Sequence, residues 1–262
     1  MKKNIISVLL VLVMSIPIVS CTKENVIIND DITTSDEFQN KNSQKGNSNN
    51  INNGQLKKIG KLHNEYLQLG FENFNYTAID VDEELKTQFF NINVPNISEE
   101  DKLAIVDDST VYNMDYLSSV LEDKIALNYI QEIENLLGVT ETYTELESSV
   151  NSKLLFMKDD VLCENKDVVK VYSEVLLSSA KFWLPLSEGG SGIGDDILGD
   201  IDELPGISPY ARDIIAADGL GAAGTFVGYG LLAGLTGPIG WGALVAGVGF
   251  SAAWSSAAAA LT

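Results

Sequence analysis

Ser208-Pro209-Tyr210-Ala211-Arg212-Asp213-Ile214-Ile215-Ala216-Ala217-Asp218-Gly219-Leu220-Gly221-Ala222-Ala223-Gly224-Thr225-Phe226-Val227-Gly228-Tyr229-Gly230-Leu231-Leu232-Ala233-Gly234-Leu235-Thr236-Gly237-Pro238 is the stretch on which the fold turns. Ser208 followed by Pro209 is a helix start, a hydroxyl cap and then a proline at the first helical position. The spacing predicts a helix through Ala211, Ile214, Ile215 and Leu220 toward Leu235, and Gly237-Pro238 forces a turn. A second helix over 239–261 would run roughly 35 Å at 1.5 Å per residue, enough to cross a bilayer. After Asp218 the chain carries no charge for its last 44 residues. Residues 208–262 therefore read as an apolar helical hairpin.

The surface of that hairpin is made of small residues. Gly224 and Gly228, Gly230 and Gly234, Gly242 and Ala246, and Gly249 and Ala253 are each four apart, a spacing that lets helix backbones approach closely. Each interior glycine costs a helix about 1 kcal/mol relative to alanine, so such helices need shielding. Two environments can supply it. The hairpin is either the buried centre of its own helical domain, or a contact in a homo-oligomer, or it sits in or on a membrane as a glycine zipper.

Upstream, the chain is helical in its periodicity and the fold class expected is all-α. Ile59, Leu62, Tyr66 and Leu69 form an apolar stripe that Gly70 should end. Ser98-Glu99-Glu100-Asp101 has the cap-plus-acid pattern of a helix start. Tyr116, Val120, Leu121, Ile125, Tyr129, Ile130, Ile133 and Leu137 predict one long helix over 114–137 with Gly138 as its stop. Helices over about 141–157 and 167–183 follow, the second closed by Pro185. No segment alternates with period two. These helices make one bundle over 55–186, followed by a Gly/Asp-rich connector over 187–207 that leads into the hairpin.

Little in this bundle points to catalysis. His63 is the only histidine, which excludes zinc sites built from several His ligands. No nucleophile elbow accompanies it, so its expected place is near a helix surface, bonded to a neighbour. A hydrolase using His63 stays open as an alternative that needs a pocket joining it to a serine or carboxylate. Asp195, Asp196, Asp200, Asp202 and Glu203 lack the turn glycine of an EF-hand and read as a solvated acidic connector. The pairs Asp107-Asp108 and Asp159-Asp160 are inter-helix loops. No catalytic residue, metal ligand or cofactor is expected.

Composition narrows the partners. Without Lys2 and Lys3 the chain has 15 basic and 37 acidic residues, a formal charge of −22, which repels nucleic acid and anionic lipid head groups. Arg212 is the single arginine, so the usual fork for anionic ligands is missing. With Cys21 otherwise engaged, Cys163 has no disulfide partner and reads as a small buried apolar residue.

The N-terminus supplies the localisation. Lys2-Lys3, an apolar run from Ile5 to Val13, and Ile18-Val19-Ser20-Cys21 form a segment too short to span a membrane comfortably. It resembles the signal peptides of bacterial lipoproteins processed by signal peptidase II. That resemblance implies removal of residues 1–20, acylation of Cys21 with palmitate-type chains, and attachment to the cell envelope. Ser20-Cys21-Thr22-Lys23-Glu24 is similar to the lipoprotein starts of Bacteroidota, which implies the outer membrane and the cell surface. Gly60-Lys61-Leu62-His63-Asn64 weakly resembles a segment of uncharacterised Bacteroidota lipoproteins. Residues 21–54, rich in Asn and Ser, read as a disordered tether with a reach of roughly 30 Å. The Gly/Ala-rich hairpin also resembles helices of some bacteriocins, and Gly189-Gly190 resembles a double-glycine leader end, which would make the chain a membrane-active toxin precursor. The leading expectation is a lipid-anchored, non-enzymatic envelope protein with an interaction or assembly role.

Overall fold

The computed structural model describes residues 51–72, 74–107, 114–160, 162–163, 165–198, 207–233 and 238–261. The signal segment, Cys21 and almost all of the tether lie outside the described residues, as do Gly234 and the acidic residues 200–203. The described residues form an all-helical structure.

The helices start where local chemistry allows it. In α1 (Asn53–Glu72) Ile59, Leu67, Tyr66 and His63 face inward at helical spacing. Gly70 lies inside α1 rather than ending it. A Cβ there would sit 2.2 Å from a Phe89 ring carbon, so this glycine provides room for the aromatic ring of the next helix. That next helix, α2 (Val81–Phe90), is absent from the expectations. Its signal is Asp80, whose carboxylate accepts the Glu83 N–H. α3 (Glu99–Asp107) begins as expected, with Ser98 Oγ accepting the Asp101 N–H.

The predicted single helix over 114–137 is two helices, α4 (Met114–Val120) and α5 (Lys124–Leu136). Asp123 breaks it: in extended conformation its carboxylate accepts the N–H groups of Ile125 and Ala126 and restarts the ladder. α6 (Tyr143–Asp159) is capped by Thr142, and α7 (Lys166–Trp183) ends before Pro185. A short α8 (Ile193–Leu198) occupies part of the stretch expected to be a plain connector.

The hairpin is present as α9 (Pro209–Ala233) and α10 (Pro238–Leu261). Sequence reading set it apart from a bundle over 55–186. In the structure Asn47–Thr262 is one compact unit, and α9 and α10 occupy its centre. α9 packs on α7 and α10 packs on α1. The physical reason is that largely apolar helices need apolar partners on most of their faces, and the bundle supplies them. Phe250 meets the edge of Tyr66 with centroids 5.8 Å apart, and Trp254 meets Phe89 at 5.4 Å.

Helix directions follow from the contacts. The Ile51 N–H donates to Asp167 at the start of α7, and Phe71 near the end of α1 meets Trp183 at the end of α7, so these helices run parallel. α6 returns between them in the chain, with Tyr129 of α5 donating to Asp160 at its end. α10 runs with α1, since Gly249 lies beside Ile59 and Leu62 while Ser256 accepts from Trp183. α9 runs against it, since Thr225 donates to Ser251 at 2.7 Å and Tyr210 to the Ala260 carbonyl.

Candidate functional site

Asp218 sits in mid-α9 at a place where a charge is least expected. One turn before the glycine-rich arm, its side chain is wholly buried among α1, α7 and α10. Three residues, one from each of those helices, converge on it. His63 Nε2 of α1 lies 3.1 Å from Asp218 Oδ2, and the same oxygen accepts the hydroxyl of Ser256 at 2.8 Å and that of Ser179. Trp183 Nε1–H donates to Ser256 Oγ at 2.8 Å, extending the chain of bonds to a fully buried indole. On its other side His63 Nδ1 faces Asn64 Oδ1 at 2.7 Å. Asp218 Oδ1 has no hydrogen-bond partner among the described residues.

Burial pushes the Asp218 carboxyl up from the ordinary carboxylate range, while His63 and the two hydroxyls pull the other way. Glu134 and Glu174 are also raised, each chiefly by burial; Asp213 adds repulsion at Glu134, and Lys57 partly relieves Glu174. A carboxyl with a raised folded-state pKa gives stability that is present below its unfolded pKa and lost as pH climbs through the folded one. Asp123 and Glu132 act oppositely. At Asp123 burial is outweighed by the N–H bonds of Ala126, Asn165 and Ile125 and the Asn165 side chain; at Glu132 the Lys153 bond leads. Their contribution is present above the ordinary carboxylate range and fails below about pH 4. The urea midpoint, measured at high salt to screen surface repulsion, is therefore expected to rise as pH falls from the alkaline side toward the upper edge of the ordinary carboxylate range. A midpoint that is flat or falls over that interval would contradict this assignment.

His63 is thus not near the surface, as its neighbours in sequence suggested, but fully buried. The structure does bring it together with a carboxylate and two serines, as the hydrolase alternative required. The order differs from that of a nucleophilic triad, because both hydroxyls donate to Asp218 and, among the described residues, neither is hydrogen-bonded to the imidazole. A triad needs the histidine between serine and acid. The arrangement instead ties α1, α7, α9 and α10 together through one oxygen.

Comparison with family models, curated proteins and solved structures returned no match. The site must be read from its own geometry.

The small residues of the hairpin do not all serve α9–α10 packing. Gly249 faces α1: a Cβ there would lie 3.0 Å from Leu62 Cβ and 3.2 Å from the Ile59 carbonyl oxygen. Ala246 and Ala253 are buried, Gly224 is buried, and Gly242 has only the Asn96 side chain near it, at 3.5 Å. Gly228 faces open space and contributes no close approach. The surroundings of Gly230, like Gly234, fall outside what is described. The tight α9–α10 contact is at Gly221, against Ser255 and Ala252, a glycine outside the predicted pairs. Gly249→Val is expected to destabilise the fold by about 1–3 kcal/mol, since the neighbouring atoms are largely α1 backbone. A chemical-denaturation midpoint indistinguishable from the parent would show that α1 yields more easily than this packing implies.

Gly189-Gly190 has a structural explanation. Gly189 adopts φ of 86° after the turn Leu186–Glu188, and a Cβ on buried Gly190 would lie 1.7 Å from the Leu184 carbonyl oxygen. The turn itself demands both glycines. Cys163 is buried, and burial together with Asp123 pushes its thiol up to about 11. Asp160 accepts from Tyr129 and from the Leu162 N–H, so it organises the α6–α7 turn. Of the acidic connector, Asp195 and Asp196 fall in α8.

Proposed function

We propose that this is a lipid-anchored protein of the bacterial envelope, held by acylated Cys21, with a non-enzymatic interaction or assembly role in which the helical bundle packages a membrane-competent hairpin. The observation that carries this reading is the placement of an uncharged helix pair at the centre of a strongly acidic protein. Gly240–Leu261 is 22 residues long and apolar enough to cross a membrane, and 78 % of its apolar 18-residue window is buried. From Gly219 to Ala233 the partner arm is uncharged over roughly 22 Å at 1.5 Å per residue. Asp218, the charge that bounds this arm, is the residue clasped by His63, Ser179 and Ser256. Insertion tip first would leave Asp218 near the headgroups, where a carboxylate is tolerated. The arrangement of His63 and the serines around Asp218, with no hydroxyl on the imidazole, supports a role other than hydrolysis.

Two measurements test it. Palmitate labelling is expected in the parent and absent in Cys21→Ala. A Cys21→Ala chain exported through a non-lipid signal is expected to leave a membrane fraction that resists carbonate extraction. If that chain is wholly soluble and monomeric, the hairpin is a core element only and the membrane role fails.

A further inference from the structure

The hydrogen bonds around His63 fix how many protons the buried knot holds. Asn64 Oδ1 lies 2.7 Å from His63 Nδ1, and an amide oxygen can only accept, so Nδ1 carries its hydrogen. Nε2 then faces Asp218 Oδ2 at 3.1 Å. A ring nitrogen without hydrogen and an ionised carboxylate oxygen are both acceptors, and two acceptors do not bond. One proton therefore lies between them, either on the ring as imidazolium against carboxylate or on the carboxyl against neutral imidazole. In both cases the pair is neutral in sum, which is how two ionisable side chains are tolerated at 0 % exposure.

Among the described residues His63 supplies the charge that acts on Asp218, and Asp218 Oδ1 has no partner of its own. Burial, which pushes the Asp218 carboxyl up, favours keeping the shared proton. The other groups on the packed helices do not replace it. Tyr66 of α1 is pushed up to about 12 and Tyr172 of α7 is raised as well, each chiefly by burial, so both stay neutral. Glu174 of α7 faces α1 at Gly60 and has Lys57 as its counter-charge. On α9 itself, Arg212 is tied to the Ile207 carbonyl and Asp213 acts on Glu134. Asp115 of α4 is exposed, α2 turns Leu85 and Phe89 inward, and α10 has no titratable side chain.

We propose that His63 and Asp218 form a proton-operated latch on the hairpin: docking α9 and α10 against α1 and α7 takes up one proton, and releasing them gives it back to water. In the released state both groups are hydrated, Asp218 as a carboxylate and His63 as a neutral imidazole. The docked state binds the extra proton, so raising the pH favours release and lowering it toward neutrality holds the hairpin in. Removing the proton without release would set a bare ring nitrogen against a buried carboxylate, which the packing does not allow to hydrate. The latch rests on the packaged-hairpin reading for its purpose and on the knot alone for its chemistry.

Two measurements on the full mature chain with Cys21→Ser, in solution without lipid, test it. His63 is the only histidine, so the nitrogen spectrum of labelled imidazole reports this ring alone. Above about pH 7.5 Nδ1 is expected to bear a hydrogen, and an Nδ1 with a bare lone pair overturns the proton count. Amide hydrogen exchange is the second measurement. The rate in α10 is divided by that in α6, which packs on α5 and α7, to cancel the base catalysis common to both. This ratio is expected to rise about tenfold per pH unit above about pH 7.5, where unfolded histidine and aspartate hold almost no proton. Asp218→Asn has no such proton to release, and its ratio is expected to stay constant with pH. A pH-independent ratio in the parent, or equal slopes in parent and Asp218→Asn, overturns the latch. If Asp218→Asn does not fold, the imidazole spectrum and the parent ratio still decide. Loss of the carbonate-resistant fraction with the exchange slope intact overturns the membrane role and leaves the latch standing.

Discussion

Asp218→Ala is expected to destabilise the protein by about 3–5 kcal/mol, since it removes the one side chain on which a buried hydrogen-bond network converges. One oxygen of Asp218 meets His63 Nε2 and accepts the hydroxyls of Ser179 and Ser256, so its removal leaves two buried hydroxyls and a buried ring nitrogen without their partner. Unsatisfied buried groups each cost about 1–3 kcal/mol, and the serines recover part of that by bonding within their own helices. Asp218→Asn keeps the shape and an acceptor and should lose less. Asp218→Asn differs from the parent in charge more than in volume, so its loss measures what the carboxylate contributes beyond filling space. Urea denaturation with an unchanged slope is the measurement. A loss below about 1 kcal/mol for Asp218→Ala would falsify the view that this knot clasps the hairpin. The same substitution loosens α9 from α1 and α7, so under the membrane reading it should also raise the carbonate-resistant fraction.

Trp183→Ala is the second large effect, expected at about 3–5 kcal/mol for truncating a fully buried indole. Trp183 is 1 % exposed; its ring meets Phe182 with centroids 5.2 Å apart and Phe71 at 6.2 Å. Gly194 of α8 packs directly on it, since a Cβ there would sit 2.3 Å from the indole. Its Nε1–H also donates to Ser256, so truncation removes a closely packed ring and one bond of the Asp218 network together. Trp183→Phe keeps most of the packing and should fall between parent and alanine. Because Trp183 and Asp218 share Ser256, the double variant Trp183→Ala, Asp218→Ala should lose less than the sum of the two singles. Additive losses would show the indole and the carboxylate to be energetically separate, against the bonding chain Trp183–Ser256–Asp218.

How much of this was legible beforehand varies by residue. The helices whose apolar stripes repeat cleanly were readable, and so were the caps at Ser98 and the Ser208-Pro209 start. The break at Asp123 was hidden, because its apolar stripe continues on both sides and only the capping bonds to Ile125 and Ala126 interrupt the ladder. α2 was missed because it is short and weakly amphipathic, though Asp80 and Glu83 were a signal in plain view. Gly70 looked like a helix stop; whether a glycine ends a helix or makes room for Phe89 depends on what packs against it.

The candidate site was the least legible part. His63 and Asp218 are 155 residues apart, and no local pattern links an isolated histidine in one helix to an isolated aspartate in another. A closer signal was Asp218 at the edge of the uncharged arm, between Ile214-Ile215 and Leu220, since a buried charge in such a place must be paired or neutralised. The sequence alone determined the helical class, the hairpin and its lack of charge, because periodicity, caps and composition are local properties. It also determined the features that resemble a lipoprotein signal. Only the tertiary structure decided that α9 and α10 lie inside the bundle and that Asp218 is clasped by three other helices. These depend on which helices become neighbours, and that is set by the packing of the whole chain and by no segment of it.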